Sequence, residues 1–191
     1  TAGYLAGYVE NTSWEELVCE RIFKPLGMTH SQFSVDDSQQ TDDYALPYSE
    51  KDDEVKPIGF RNITTVGPAG SINSNLVDMV EWVKLQLHKG KVGEQTVFSE
   101  ENARQLHSPQ MVIADPMWEQ IFGLKLISYG LGWFINPYHD QVMIHHGGNI
   151  DGFSALVSFM PGINAGAVVL TNLNSNQLPF VVTNTLYDRL L

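Results

Sequence analysis

The chain has 191 residues and 43% hydrophobic content, enough to bury a sizeable core in a single domain or slightly more. Its 11 basic and 22 acidic residues give a net charge of -11, which argues against nucleic acid or an anionic membrane surface as partner. No apolar run approaches the roughly 20 residues needed to span a bilayer, and the single Cys19 excludes an internal disulfide framework.

Position 1 is Thr, and no basic-then-apolar leader is present. The expectation is therefore a chain cut or processed at its N-terminus. Thr1 to Glu10 is small and apolar enough for a buried helix. Ser13 then caps a second helix, with Glu16 three residues on completing a capping box. Cys19 falls in the helical pattern Trp14 to Phe23 as a half-buried residue, and Lys24-Pro25-Leu26-Gly27-Met28 ends that helix. Asp36 to Lys56 is rich in Asp, Ser, Gln, Pro and Glu and has little periodicity, so it reads as an exposed, mobile excursion.

Gly67-Pro68-Ala69-Gly70-Ser71 is turn chemistry. Ser74 is then expected to cap a helix whose apolar positions Leu76, Met79, Val80, Val83 and Leu87 share one face, with Gly90 as its stop. A shorter helix begins at Ser99, carries Ala103 and Leu106, and closes at Ser108-Pro109. Beyond residue 126 the pattern becomes β-prone: Tyr129 to Ile135, Gln141 to His145, Phe153 to Phe159 and Ala165 to Leu170, separated by Asn-Pro, Gly-Gly and Pro-Gly turns. Pro179 opens a last helix with Phe180, Val181, Leu186, Leu190 and Leu191 available for one face. Helices first, antiparallel strands later and a helix last make an α+β layout: an antiparallel sheet flanked by helices, mainly helical and looped over about 11–125 and stranded over about 126–191.

The stretch with most chemistry is His145-His146-Gly147-Gly148-Asn149-Ile150-Asp151-Gly152-Phe153. A basic side chain followed by glycines lets a backbone approach a substrate while a proton donor stands beside it. On a strand His145 and His146 point to opposite faces, so only one can face a site. The other histidines, His30, His88, His107 and His139, stand apart, and no His-Glu-x-x-His pair occurs, so neither metal nor cofactor is expected.

No obvious nucleophile accompanies this stretch. Ser-x-x-Lys and Tyr-x-Asn are both absent. Ser71-Ile72-Asn73 matches Ser-x-Asn, but its turn-and-cap setting favours a structural role. Gly152-Phe153-Ser154-Ala155-Leu156 lacks the second glycine of a nucleophile elbow and is followed by strand, which rejects Ser154 as nucleophile.

Five groups of residues occur in an order that resembles the class C β-lactamase-like serine hydrolases. They are Trp14-Glu15-Glu16-Leu17 with Arg21-Ile22-Phe23-Lys24-Pro25-Leu26-Gly27-Met28; Pro68-Ala69-Gly70-Ser71-Ile72 and Ser74 with Asp78-Met79; Tyr129-Gly130-Leu131-Gly132-Trp133; His146-Gly147-Gly148 with Gly152-Phe153; and Leu170-Thr171-Asn172. The family includes β-lactamases, penicillin-binding proteins, esterases and D-amino-acid peptidases. The resemblance implies a β-lactamase/transpeptidase-like fold over 1–191, a single domain incomplete at the N-terminus, with Ser-x-x-Lys and Tyr-x-Asn lying before Thr1. It places His146-Gly147-Gly148 at the family's third motif, Lys-Thr-Gly or His-x-Gly, and makes the backbone N–H of Asn149 one of two oxyanion donors. His145-His146-Gly147 also fits His-x-Gly; the spacing to Asp151-Gly152-Phe153 favours His146.

By the same resemblance the chain is part of a hydrolase acting through an acyl-enzyme on a lactam, ester or D-amino-acid amide or peptide. Alone it is expected to be inactive. Its partners would be that small-molecule or peptide substrate and the preceding segment of the same protein, and its compartment periplasmic or extracellular. The competing expectation is a non-catalytic relative serving ligand binding or assembly. A histidine at the third motif, where a permanently charged lysine would suit a β-lactam carboxylate better, points to peptidase or esterase activity.

Overall fold

A computed structural model describes residues 1–113 and 127–191. Helix α1 (Ala2–Glu10) ends at Asn11, whose left-handed conformation closes it. The helix forms as its sequence suggests, yet only Gly7 is buried in it, and Tyr8 is 82% exposed. The buried-helix expectation therefore fails in burial, because Gly3 and Gly7 supply the close-packed face: a Cβ at Gly3 would lie 2.7 Å from Trp14. The next helical stretch is α2 (Trp14–Val18), a π turn (Cys19–Phe23) and α3 (Lys24–Leu26). Ser13 and Glu16 form the expected capping box, with Glu16 N–H donating to Ser13 Oγ at 3.0 Å and Ser13 N–H donating to Glu16 Oε2 at 3.3 Å. Gly27, at φ +67°, terminates the stretch.

The segment from Asp36 to Lys56 is more regular than its composition suggests. It contains part of α4 (Val35–Ser38) and most of a hairpin, β1 (Tyr48–Lys51) with β2 (Glu54–Pro57), paired Lys51↔Glu54 across Asp52 and Asp53. Both turn residues have positive φ, 55° and 61°, as a type I′ hairpin requires. Two aspartates accept that conformation without glycine, which is why composition alone hid the turn. A 3-10 turn (Thr64–Ala69) leads to α5 (Leu76–Leu87).

The cap of α5 is Asn75, whose Oδ1 accepts from Asp78 N–H at 2.9 Å, and not Ser74, whose hydroxyl lies 2.8 Å from Ser31 Oγ. The face of α5 also differs from expectation: Leu76 and Val80 are exposed, whereas Asp78, Val83, Leu85 and Gln86 are buried. Asp78 can be buried because its carboxylate accepts from His30 N–H at 2.9 Å and Ser31 Oγ–H at 2.8 Å. Gly90 ends the helix at φ +90°. A two-residue ladder, β3 (Lys91–Val92) with β4 (Gln95–Thr96), precedes α6 (Glu100–Leu106), which Ser99 caps as expected through Asn102 N–H at 3.1 Å.

Six strands follow: β5 (Met111–Ile113), β6 (Ile127–Tyr129), β7 (Phe134–Tyr138), β8 (Gln141–Ile150), β9 (Phe153–Met160) and β10 (Ala165–Thr171). They form one sheet in the order β10-β9-β8-β7-β6-β5, so each strand lies beside its chain neighbour, and the ladders from β5 to β8 are antiparallel. Tyr129 to Ile135 is two strands and a turn rather than one strand. Asn136-Pro137 lies inside β7, and the reversal falls at His139, φ 52°. The boundary expected near residue 125 lies outside the described residues. Helix α7 (Leu178–Leu190) starts with Pro179 in its first turn, but buries Pro179, Thr183 and Tyr187, leaving Val181, Leu186 and Leu190 exposed. No described helix is long and apolar enough to cross a membrane.

The chain divides into two compact units. The first comprises Thr1–Trp82, Gly147–Leu156 and Val168–Leu191; its interior includes Trp14, Phe23, Leu26, Met28, Leu156 and Tyr187, and Phe33 stacks on Phe23 at 5.1 Å. The second comprises Val83–His146 and Val157–Ala167, with Leu85, Ala103, Ile127, Trp133, Met143, Ile144 and Phe159 in its interior.

Candidate active site

Strand β8 carries the histidine–glycine stretch as regular strand, not as a Gly-Gly turn between strands. Its ladder with β7 runs from Tyr138↔Gln141 to Phe134↔His145 and stops there, while β8 continues to Ile150. Past His145 that side of β8 has left the β7 ladder. The real turn is Asp151-Gly152, where Gly152 has φ +91°.

Alternation along β8 sorts the two histidines. His145 is 1% exposed, stacks on Phe134 with ring centroids 5.5 Å apart, and its Nε2 lies 2.8 Å from Asn136 Oδ1. Burial, and secondarily the neighbouring His146, pushes its pKa down to about 4, so it sits in the core as a neutral imidazole. His146 is exposed. Its Nε2 lies 3.1 Å from Tyr129 Oη, and its ring meets Tyr129 edge-on at 6.1 Å and Phe134 at 5.5 Å.

Among the described residues, none gives Gly147 or Gly148 a steric reason to be glycine. A Cβ at Gly147 would lie 3.6 Å from Ala155 O, and one at Gly148 would lie 3.8 Å from Ala155 Cβ, both ordinary contacts. Asn149 is held by its side chain: Nδ2 donates to Ser175 Oγ at 3.0 Å, and Oδ1 accepts from Ser175 N–H at 3.0 Å and Ser154 Oγ at 3.1 Å. That network fixes the backbone of Asn149 without using its peptide groups.

The turn beyond is anchored from two directions. A Cβ on Gly152 would come within 2.1 Å of Pro47 Cβ, and Gly152 O accepts from Tyr48 N–H at 3.3 Å. Arg61 Nη1 donates to Asp151 Oδ2 at 2.9 Å, and Phe60 packs 6.1 Å from Phe153. The segment read as a loose excursion therefore braces the end of β8.

The other sequence candidates are placed elsewhere. Ser154 is 6% exposed and its hydroxyl donates towards Leu173 O at 2.9 Å and Asn149 Oδ1. Ser71 is buried, and Asn73 turns back to donate to Ser71 O at 2.9 Å while its backbone bridges to Gln32. Cys19 is half-buried in the π turn. Two neighbours of the histidines do not stand out in the sequence: Tyr129, 17 positions before His146, and Asn136, the partner of His145. The registers Tyr129↔Phe134 and Phe134↔His145 bring them together, and only strand pairing could have revealed that.

Comparison with known proteins gives a consistent family. The family model described as Beta-lactamase matches residues 1–190. Protein flp of Staphylococcus aureus (strain MRSA252) is 28% identical over 182 residues, covering 94% of this chain and 33% of that protein. The chain thus spans about a third of the length of the curated relatives it matches. Among solved structures, the octameric penicillin-binding protein homologue from Pyrococcus abyssi superposes with a TM-score of 0.74 at 22% identity, over 88% of this chain and 35% of that one. A D-stereospecific amidohydrolase from Streptomyces sp. gives 0.71 at 19% identity, over 91% and 48%.

Proposed function

The chain belongs to the beta-lactamase family, and on that premise we propose that it forms one wall of an acyl-enzyme serine hydrolase site. In this reading His146 is the side-chain hydrogen-bond donor, Gly147 and Gly148 form the strand surface against which the acyl group lies, and the backbone N–H of Asn149 is one oxyanion donor. The observation that carries it is the exposed His146 directly before two glycines that packing among the described residues does not require, on the part of β8 that has passed its last pair with β7. A serine oxygen attacks the acyl carbon, the oxyanion is held by backbone N–H groups, the amine or alcohol leaves, and water then frees the acid and restores the serine. The 191 residues contain neither Ser-x-x-Lys nor Tyr-x-Asn, so the serine and its base come from polypeptide outside them.

The substrate class this wall suits is an ester or a D-amino-acid amide or peptide more than a β-lactam. An imidazole donates a hydrogen bond in either protonation state but carries a cation in only one of them, whereas lysine presents a permanent charge to a lactam's carboxylate.

Treating the natural full-length protein with a fluorophosphonate probe is expected to label one serine outside residues 1–191. His146→Ala is expected to slow that labelling roughly tenfold or more, with the thermal midpoint unchanged. No labelling of the natural protein would overturn the hydrolase in favour of a non-catalytic relative. Labelling of His146→Ala at the natural rate would remove His146 from the site.

A further inference from the structure

We propose that the side chain of Asn149 and the residue that grips it, Ser175, are positioning groups: together they aim the backbone N–H of Asn149 at the oxyanion. This role rests on the site reading above, in which that N–H is an oxyanion donor, and adds to it two side chains that never touch the substrate.

A strand end that has left one of its ladders has lost hydrogen bonds that fix its peptide planes. The ladder between β7 and β8 stops at Phe134↔His145, short of Asn149. At Asn149 the side chain makes a new attachment, to the loop after β10. Its Nδ2 donates to Ser175 Oγ at 3.0 Å and its Oδ1 accepts from Ser175 N–H at 3.0 Å, so the donor and acceptor of one residue hold both ends of one carboxamide. A backbone N–H can only donate, so the atom facing it is the amide oxygen and the carboxamide has a single orientation. Ser154 adds a weaker hold, because its one hydroxyl proton is shared between Leu173 O at 2.9 Å and Asn149 Oδ1 at 3.1 Å.

The anchor is itself fixed. Ser175 has φ +51°, a left-handed conformation that a residue other than glycine keeps only where its surroundings impose it. Here its neighbours do so. Asn174 N–H donates to Tyr48 O at 2.9 Å, Asn176 Nδ2 donates to Thr171 Oγ1 at 2.9 Å, and Thr171 Oγ1 donates to Ser154 O at 2.9 Å. All of these residues belong to the first compact unit.

Asn149 and Ser175 are both exposed, so water can satisfy their polar atoms when the clasp is removed and folding loses little. The reaction rate is more sensitive. An oxyanion donor acts only at about 2.7–3.1 Å from the developing charge, and losing one outright slows the reaction about 10²–10³-fold. Loosening its aim costs part of that factor. The cost falls on the transition state and not on initial binding, so it appears in the maximal rate and leaves the half-saturating concentration alone.

The full-length protein is treated with a fluorophosphonate over a range of concentrations, which separates the maximal rate of serine modification, kinact, from the half-saturating concentration, KI. Asn149→Ala keeps the peptide N–H and removes the clasp. It is expected to lower kinact about tenfold, with KI within about twofold and the thermal midpoint within about 2 °C. Ser175→Gly fits the left-handed backbone and keeps the N–H but loses Oγ, and is expected to lower kinact about threefold. An unchanged kinact in both variants, or a change confined to KI, would overturn the clasp; if Asn149→Ala does not fold, Ser175→Gly decides by the same division. The donor itself is read separately by NMR on the natural protein, where the Asn149 N–H resonance is expected to move downfield when the serine is phosphonylated. If that resonance moves and kinact is unchanged in the variants, the positioning role alone fails; if it does not move, the oxyanion assignment of Asn149 fails first.

Discussion

A strand sends neighbouring side chains to opposite faces, and at His145 and His146 that alternation separates a core group from an exposed one. His145 fills space beside Phe134 and answers Asn136 Oδ1, so its truncation leaves both a cavity and an unpaired buried carbonyl. His145→Ala is expected to destabilise by about 2–4 kcal/mol, and His146→Ala to stay within about 0.5 kcal/mol; urea denaturation at pH 7 separates them. A smaller loss for His145 than for His146 would reverse the assignment of faces. Gly147 makes the complementary case. Among the described residues its added Cβ meets only Ala155 O, at 3.6 Å, so Gly147→Ala is expected to change stability by less than about 1 kcal/mol while slowing acylation of the full-length protein. Loss of folding there, rather than of rate, would show that the glycine serves packing.

At the scale of elements, the turn after β8 is where backbone and packing converge. Gly152 combines φ +91° with a Cβ position 2.1 Å from Pro47 Cβ, so Gly152→Ala meets left-handed strain and a direct clash. A loss of about 2 kcal/mol or more is expected in the same urea measurement, and a loss below 1 kcal/mol would mean that residues 47 and 152 do not meet as described. This turn also shows what a linear reading reaches. Local rules found the capping box at Ser13, the cap at Ser99 and the stop at Gly27, because each depends on residues within one turn of helix. They misplaced the turn at Gly147-Gly148 because glycine is as compatible with an open strand as with a reversal. They also offered α7 an apolar face through Phe180, Val181, Leu186, Leu190 and Leu191, of which Phe180 is half-buried and the rest exposed, whereas Pro179, Thr183 and Tyr187 are the buried ones. Periodicity names a candidate face; only tertiary contacts choose it. The histidine and glycines of the proposed site were legible as chemistry, whereas their neighbours Tyr129 and Asn136 became visible only through strand register.

Across the whole molecule, two buried histidines set a sign for the pH dependence of stability. His145 and His107 both have pKa values pushed down to about 4 by burial, from 6.5 for the free side chain. His107 lies 2.9 Å from Gln86 Oε1 and edge-on to Phe159 at 5.0 Å, and His145 answers Asn136, so the named partners are neutral in both cases. With the folded pKa below the unfolded one, the unfolded chain binds protons first. The stabilisation is fully present above pH 6.5, declines as pH falls from 6.5 to about 4, and is flat below that. For His145 the slope approaches about 1.4 kcal/mol per pH unit; for His107, which is only partly buried, solvent screening makes it smaller. The net charge of -11 acts in the opposite direction, since protonating carboxylates towards the pI of about 4.8 relieves self-repulsion. The two effects separate by difference: the pH profile of urea stability for the natural chain, minus that for His145→Gln, is expected to fall between pH 6.5 and 4 and to be level above 6.5. A difference that is level throughout, or rises as pH falls, would mean that His145 is not buried as a neutral base.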